Sequence, residues 1–125
     1  MPVRSLSLPI LRWPDDQEVV SALVHWASEV ERMDKNICMI GYFGSYARGD
    51  WGVGSDLDVI VVVESSELPF ERRGSEWDTT SLPVPVDLLV YTKQEWRSLA
   101  QQGRFAGTLR KEVTWILERS AESST

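Results

Sequence analysis

The chain has 125 residues, is 42% hydrophobic and 26% charged, and carries a formal net charge of −6. That length fits one domain over residues 1–125 with its core at about 15–119, able to fold without a disulfide or structural metal. Its cations are scattered and its balance is acidic, which excludes a general grip on DNA or RNA; no apolar run is long enough for a signal peptide or a membrane span, so a cytoplasmic protein is expected.

The first expected element is a helix over Asp15–Met33. Asp15 with Glu18 three residues later resembles a capping box, and Val19, Leu23, Trp26, Val30 and Met33 fall at helical spacing on one stripe. His25, the single histidine, lies off that stripe and reads as a surface residue. Lys35-Asn36 then turns the chain into Ile37–Phe43, an apolar run of strand length that holds the single cysteine, Cys38. A thiol among Ile37, Met39 and Ile40 behaves as a small buried hydrophobe. A polar loop with several glycines, Gly49–Ser55, leads to Leu57–Val63, whose β-branched residues predict a strand buried on both faces.

Glu64–Leu82 is polar, carries Pro69 and Gly74, and reads as a loop with one short helical turn. Pro83 and Pro85 introduce a third strand, Val86–Tyr91, since proline does not sit inside a central strand. Lys93–Gln102 suits a helix with Thr92 as its N-cap. Gly103 and Gly107 punctuate the chain, Leu109–Glu118 reads as a last helix or a mixture of helix and strand, and Ser120–Thr125 reads as a frayed tail. Trp26, Trp96 and Trp115 fall in the expected helices and are assigned to packing. Trp51, in the loop between Asp50 and Gly52, either packs over that loop or stacks on a base or partner. The fold class is α/β (α+β), a sheet covered by helices.

Two clusters carry chemistry. Gly44-Ser45-Tyr46-Ala47-Arg48-Gly49 directly follows a strand and could open a helical turn. Free backbone N–H groups there favour a phosphate, Gly44 allows close approach, Ser45 adds a hydroxyl and Arg48 a positive charge. The plainer reading is a simple turn, with Arg48 paired to Asp50 or another carboxylate. In the second cluster, Asp56 and Asp58 alternate with Leu57, so both carboxylates point to one face at the head of a strongly apolar strand. They are either solvated there or bridged by a hard divalent cation such as magnesium, which prefers carboxylate oxygens. Asp87 interrupts the apolar run of the third strand. It either faces water at a sheet edge or joins Asp56 and Asp58. Three such carboxylates could hold two metal ions roughly 3.5–4 Å apart, suited to in-line phosphoryl transfer.

Gly44-Ser45, ten further residues, Asp56-Leu57-Asp58 and then Asp87 in a later strand resemble the signature of the DNA-polymerase-beta-like nucleotidyltransferase superfamily. Gly44–Gly49 with Ser55–Val59 is most similar to its minimal nucleotidyltransferases, the antitoxins of HEPN/MNT toxin–antitoxin pairs. The resemblance is carried by Ile37–Tyr91. It implies a small mixed β-sheet with helices packed on one side. It implies that Asp56 and Asp58 bind two magnesium ions, that Asp87 completes the site and helps activate the acceptor hydroxyl, and that Gly44 and Ser45 hold the triphosphate of ATP, with Arg48 as a lesser nucleotide contact. Larger members carry a helical domain for the acceptor, for which this chain has no residues to spare. The acceptor is therefore expected elsewhere, and the resemblance implies a tyrosine of a partner HEPN toxin that receives AMP. The alternatives are an antitoxin that acts by binding alone, or transfer to a small molecule in a pocket between two subunits of a homodimer. Three intact carboxylates favour catalysis, since binding alone does not require them.

Overall fold

The computed structural model describes residues 13–99 and 103–119. Helix α1 (Asp16–Met33) begins as the sequence indicates. The Asp15 carboxylate accepts from Glu18 N at 2.9 Å, and the Glu18 carboxylate accepts from Asp15 N at 3.0 Å. This reciprocal cap satisfies two N–H groups that the helix ladder leaves open. Val19, Leu23, Trp26 and Ala27 form the buried stripe. Met33 departs from the expectation, being 81% exposed. It is the last residue of the helix, and the chain leaves at Asp34 before another turn can cover it.

Strand β1 (Ile37–Phe43) runs into the one-turn helix α2 (Ser45–Arg48), and β2 (Leu57–Val63) returns antiparallel to β1. Within the expected loop, α3 (Phe70–Arg73) continues into a tighter 3-10 turn at Gly74–Glu76. Strand β3 (Val86–Thr92) lies parallel to β2. Helix α4 (Lys93–Leu99) follows at once, and Thr92 caps it as expected. Thr92 Oγ1 accepts from Glu95 N at 3.1 Å, and Glu95 Oε1 accepts from Thr92 N at 2.9 Å. The remainder of the helix expected over Lys93–Gln102 lies outside the described residues, as does the Ser120–Thr125 tail. Helix α5 (Gly103–Glu112) and β4 (Thr114–Glu118) complete the order β3-β2-β1-β4, a mixed four-stranded sheet.

The segment around Leu109–Glu118 therefore divides into helix and strand, and Gly103 and Gly107 lie within α5 rather than breaking the chain. Trp115 sits on β4, not in a helix. Gly41 makes this possible: a Cβ there would lie 2.6 Å from Val113 Cγ1, 2.8 Å from Thr114 O and 2.8 Å from Trp115 Cε3. Without a side chain at Gly41, β4 approaches β1, and Trp115 packs edge-on against Trp96 at 5.6 Å between ring centroids.

The alternation of β2 divides the core. Val59, Val61 and Val63 pack with Val19, Leu23 and Trp26 of α1, whereas Ile60 and Val62 pack with Trp96 of α4 and Leu109 of α5. The long helix thus covers one side of the sheet, and the short helices α4 and α5 add a smaller cover on the other. Leu57, Val59, Ile60, Val61 and Val62 have no exposed surface at all, which is the two-faced burial that their β-branched run predicts. Arg73 is buried among these elements. Its guanidinium donates to Glu95 Oε1 at 2.6 Å and Oε2 at 3.1 Å, and to the carbonyls of Leu68 and Val90. It joins α3, β3 and α4 through one charge whose donors find partners, as a buried cation requires.

Candidate active site

Antiparallel pairing places Phe43 opposite Asp58, so the chain leaves β1 where it meets the start of β2. Gly44 makes the junction with φ 78° and ψ −152°, a conformation open to glycine and strained for other residues. It also lies against the Asp58 side chain: a Cβ on Gly44 would overlap the carboxylate, 3.1 Å from its Cγ. The close approach expected of Gly44 is thus made toward the protein's own carboxylate. Ala47 and Arg48 N–H donate to Gly44 O at 3.0 and 2.9 Å, so the N–H groups of Ser45 and Tyr46 precede the ladder of this turn. Tyr46 is buried, stacked on Trp51 at 5.5 Å and 10°, and its Oη accepts from Trp13 Nε1 at 3.1 Å. Trp51 therefore serves as the inner packing of the loop.

Asp56 and Asp58 lie on one face at the entry of β2, as the alternation predicts, and both line an open pocket of about 450 Å³. Phe43, Gly44, Ser45 and Arg48 line it from the end of β1 and from α2, and Thr108, Leu109 and Glu112 line it from α5. Asp87 is the parallel-strand partner of Asp58 and so projects from the same face one strand away, a separation of about 4.8 Å between strands. It is exposed and stands beside the pocket rather than in its lining.

The carboxylates act on one another. Burial, followed by the charges of Asp87 and Asp56, pushes the Asp58 carboxyl above its ordinary value, while Arg48 opposes the shift. A half-buried carboxylate that stays ionised beside two others favours a cation between them. The donor set is all oxygen, which suits magnesium or another hard divalent ion. Among the described residues, no three Asp, Glu, His or Cys side chains are drawn together closely enough to hold an ion by themselves. Magnesium sites of this kind take the rest of their ligands from substrate phosphates and water.

Arg48 does not extend freely into the pocket. Its Nε is 3.2 Å from Asp50 Oδ2 and its Nη1 is 3.5 Å from Glu112 Oε1. Thr108, Leu109 and Glu112 were not legible as pocket residues, because α5 follows Asp58 by some 45 residues and no spacing rule connects them. Cys38 is buried and donates to Glu64 Oε2 at 3.3 Å; burial first, and then Glu64, push its thiol up to about 11. His25 lies on the surface of α1, 3.6 Å from Glu29. No helix among the described residues is long and apolar enough to cross a membrane.

The family model described as nucleotidyltransferase domain matches residues 26–113. No curated protein matches the chain. Among solved structures, a protein from Sulfolobus solfataricus proposed to be a nucleotidyltransferase superposes with a TM-score of 0.61 at 22% identity, over 83% of this chain and 84% of that one. A toxin–antitoxin structure with AMP-PNP superposes with a TM-score of 0.54 at 16% identity, over 89% of this chain and 79% of its own. At these identities the two structures show a shared fold.

Proposed function

We propose that this chain, which belongs to the nucleotidyltransferase domain family, moves AMP from ATP to a hydroxyl of a partner protein. The observation that carries the reading is the pocket itself, which Asp56 and Asp58 line together with the Gly44-Ser45 turn. Asp56 and Asp58 would hold two magnesium ions, with Asp87 completing the set from β3. When bound, the ions supply charge for the triphosphate and acidify the attacking hydroxyl. Gly44 and Ser45 offer backbone N–H groups and a hydroxyl to the phosphates, and Arg48 contributes charge from the same wall. The acceptor oxygen attacks the α-phosphorus, the bond to the bridging oxygen breaks, and pyrophosphate leaves. Asp87, exposed on the neighbouring strand, would receive the hydroxyl proton.

The likeness to a toxin–antitoxin structure containing AMP-PNP supports a protein acceptor. We assign the acceptor as a tyrosine of a HEPN-type toxin, which would make the chain an antitoxin. The reading implies a compartment supplied with ATP, the cytoplasm. The test mixes the purified chain with α-labelled ATP and magnesium, with and without the product of the neighbouring gene. Label is expected on the partner with the intact chain, and at least about a hundredfold less with Asp58→Ala. Equal transfer by Asp58→Ala, with its fold confirmed by circular dichroism, would end the two-metal argument. A stable complex without label would favour inhibition by contact.

A further inference from the structure

We propose that Glu112 is a positioning residue of this pocket, which holds Arg48 in a carboxylate clamp with Asp50 so that nucleotide is admitted as its divalent-cation complex and not as the free polyanion. The inference rests on the nucleotide reading above. Among the described residues lining the pocket, Arg48 is the one cationic side chain. It comes from α2, and Glu112 comes from α5. Their ion pair at 3.5 Å therefore joins two lining segments 64 positions apart in sequence. Asp50 takes the other edge of the guanidinium at 3.2 Å. Of the two carboxylates Glu112 is the better shielded, with 29% of its side chain exposed against 62% for Asp50.

The charge balance gives the clamp its consequence. With Arg48 paired to two other carboxylates, its charge reaches Asp58 only as the smallest of the influences on that group, and Asp56 and Asp58 make no ion pair with it. A triphosphate alone meets net repulsion, and each like-charge contact in a partly desolvated cleft costs more than in bulk water. Divalent cations held by Asp56 and Asp58 reverse that sign. Arg48 can then exchange a carboxylate for a phosphate, to which guanidinium binds well. The opposing charge of Glu112 makes metal-free occupancy unfavourable, and so protects the pocket from unproductive binding.

The test measures the Kd of the fluorescent nucleotide MANT-ATP for the full chain, in EDTA and in saturating magnesium. It compares wild type, Glu112→Gln, Arg48→Gln and the double variant. Glu112→Gln is expected to bind about two- to fivefold more tightly in EDTA, the scale of an exposed ion pair released. The gain should shrink with magnesium and vanish when Arg48 is also replaced. Asp50→Asn should give a smaller gain of the same sign, and it carries the same cycle if Glu112→Gln does not fold. Unchanged or weaker binding in EDTA would overturn the proposal. So would a gain that persists without Arg48, because simple removal of charge would then suffice. A wild-type chain that binds no MANT-ATP even with magnesium removes the nucleotide reading and this inference with it. Binding by wild type with no effect of Glu112→Gln removes this inference alone.

Discussion

Replacing Gly44 with alanine separates two costs that the structure superimposes. The first is backbone strain: φ 78° with ψ −152° lies outside the regions open to alanine, and residues held there cost about 1–3 kcal/mol. The second is steric, because the new Cβ would overlap the Asp58 carboxylate. Asp58 is confined between neighbouring strands, with Phe43 on one side and Asp87 on the other, so moving it costs about 1–2 kcal/mol, the low end for an overpacked site. Together these predict a loss of about 2–5 kcal/mol for Gly44→Ala. For a domain of this size that lowers Tm by roughly 3–5 °C per kcal/mol. In an Asp58→Ala background the overlap is gone and the strain remains, so the penalty should shrink by about 1–2 kcal/mol. Urea unfolding of the four proteins in the cycle, at 25 °C and in EDTA, reads the coupling directly. If alanine at Gly44 costs the same in both backgrounds to within about 0.3 kcal/mol, then the approach to Asp58 is not what selects glycine there.

Three further outcomes follow from the same geometry. Asp58 titrates above its ordinary value of 3.8 in the folded protein. Between that value and the raised one the native state binds more protons than the unfolded chain, so stability falls as pH rises through the window. Asp58→Asn should flatten this part of the Tm-against-pH curve in EDTA and raise Tm at neutral pH; parallel curves would refute it. Glu95→Ala removes both Arg73 contacts and the bond that the Glu95 carboxylate accepts from Thr92 N, while the Thr92 hydroxyl still caps α4. Because Glu95 is 42% exposed, the loss should be about 2–3 kcal/mol, below the range for a fully buried pair, and a urea measurement under 0.5 kcal/mol would show the pair to be incidental. With its thiol pushed up from 9.0 to about 11, Cys38 should react with iodoacetamide at pH 8 about a hundredfold more slowly in the folded chain than in urea, and Glu64→Gln should speed the folded reaction.

The central part of the fold was legible because strong local signals agree with one another there. Asp15 and Glu18 announce the start of α1, the β-branched run announces β2, and Asp56 and Asp58 fall on one face because strand periodicity leaves no alternative. What could not be read depends on contacts between distant segments. Gly41 looks like any strand glycine until Trp115 and Val113 occupy the space beside it. Gly103 and Gly107 suggest breaks, yet the stretch is held as a helix that packs Leu109 against Ile60 and Val62, a case of tertiary burial outweighing propensity. The α5 side of the pocket was hidden for the same reason, and so was the burial of Arg73, whose partners Val90 and Glu95 lie on β3 and α4.

Arg119 adds an order in time to this arrangement. Its N–H donates to Cys38 O at 2.7 Å, and its guanidinium donates to Lys35 O at 2.8 Å and to Glu31 Oε2 at 2.7 Å, 88 positions earlier in the chain. The end of β4 is thus fastened to the turn between α1 and β1, a closure of high sequence separation that must come late in folding. During synthesis the first three strands can emerge and pair while β1 still has one open edge. The pocket gains its α5 wall only as that last strand docks, so the cavity is complete only once β4 has joined the sheet.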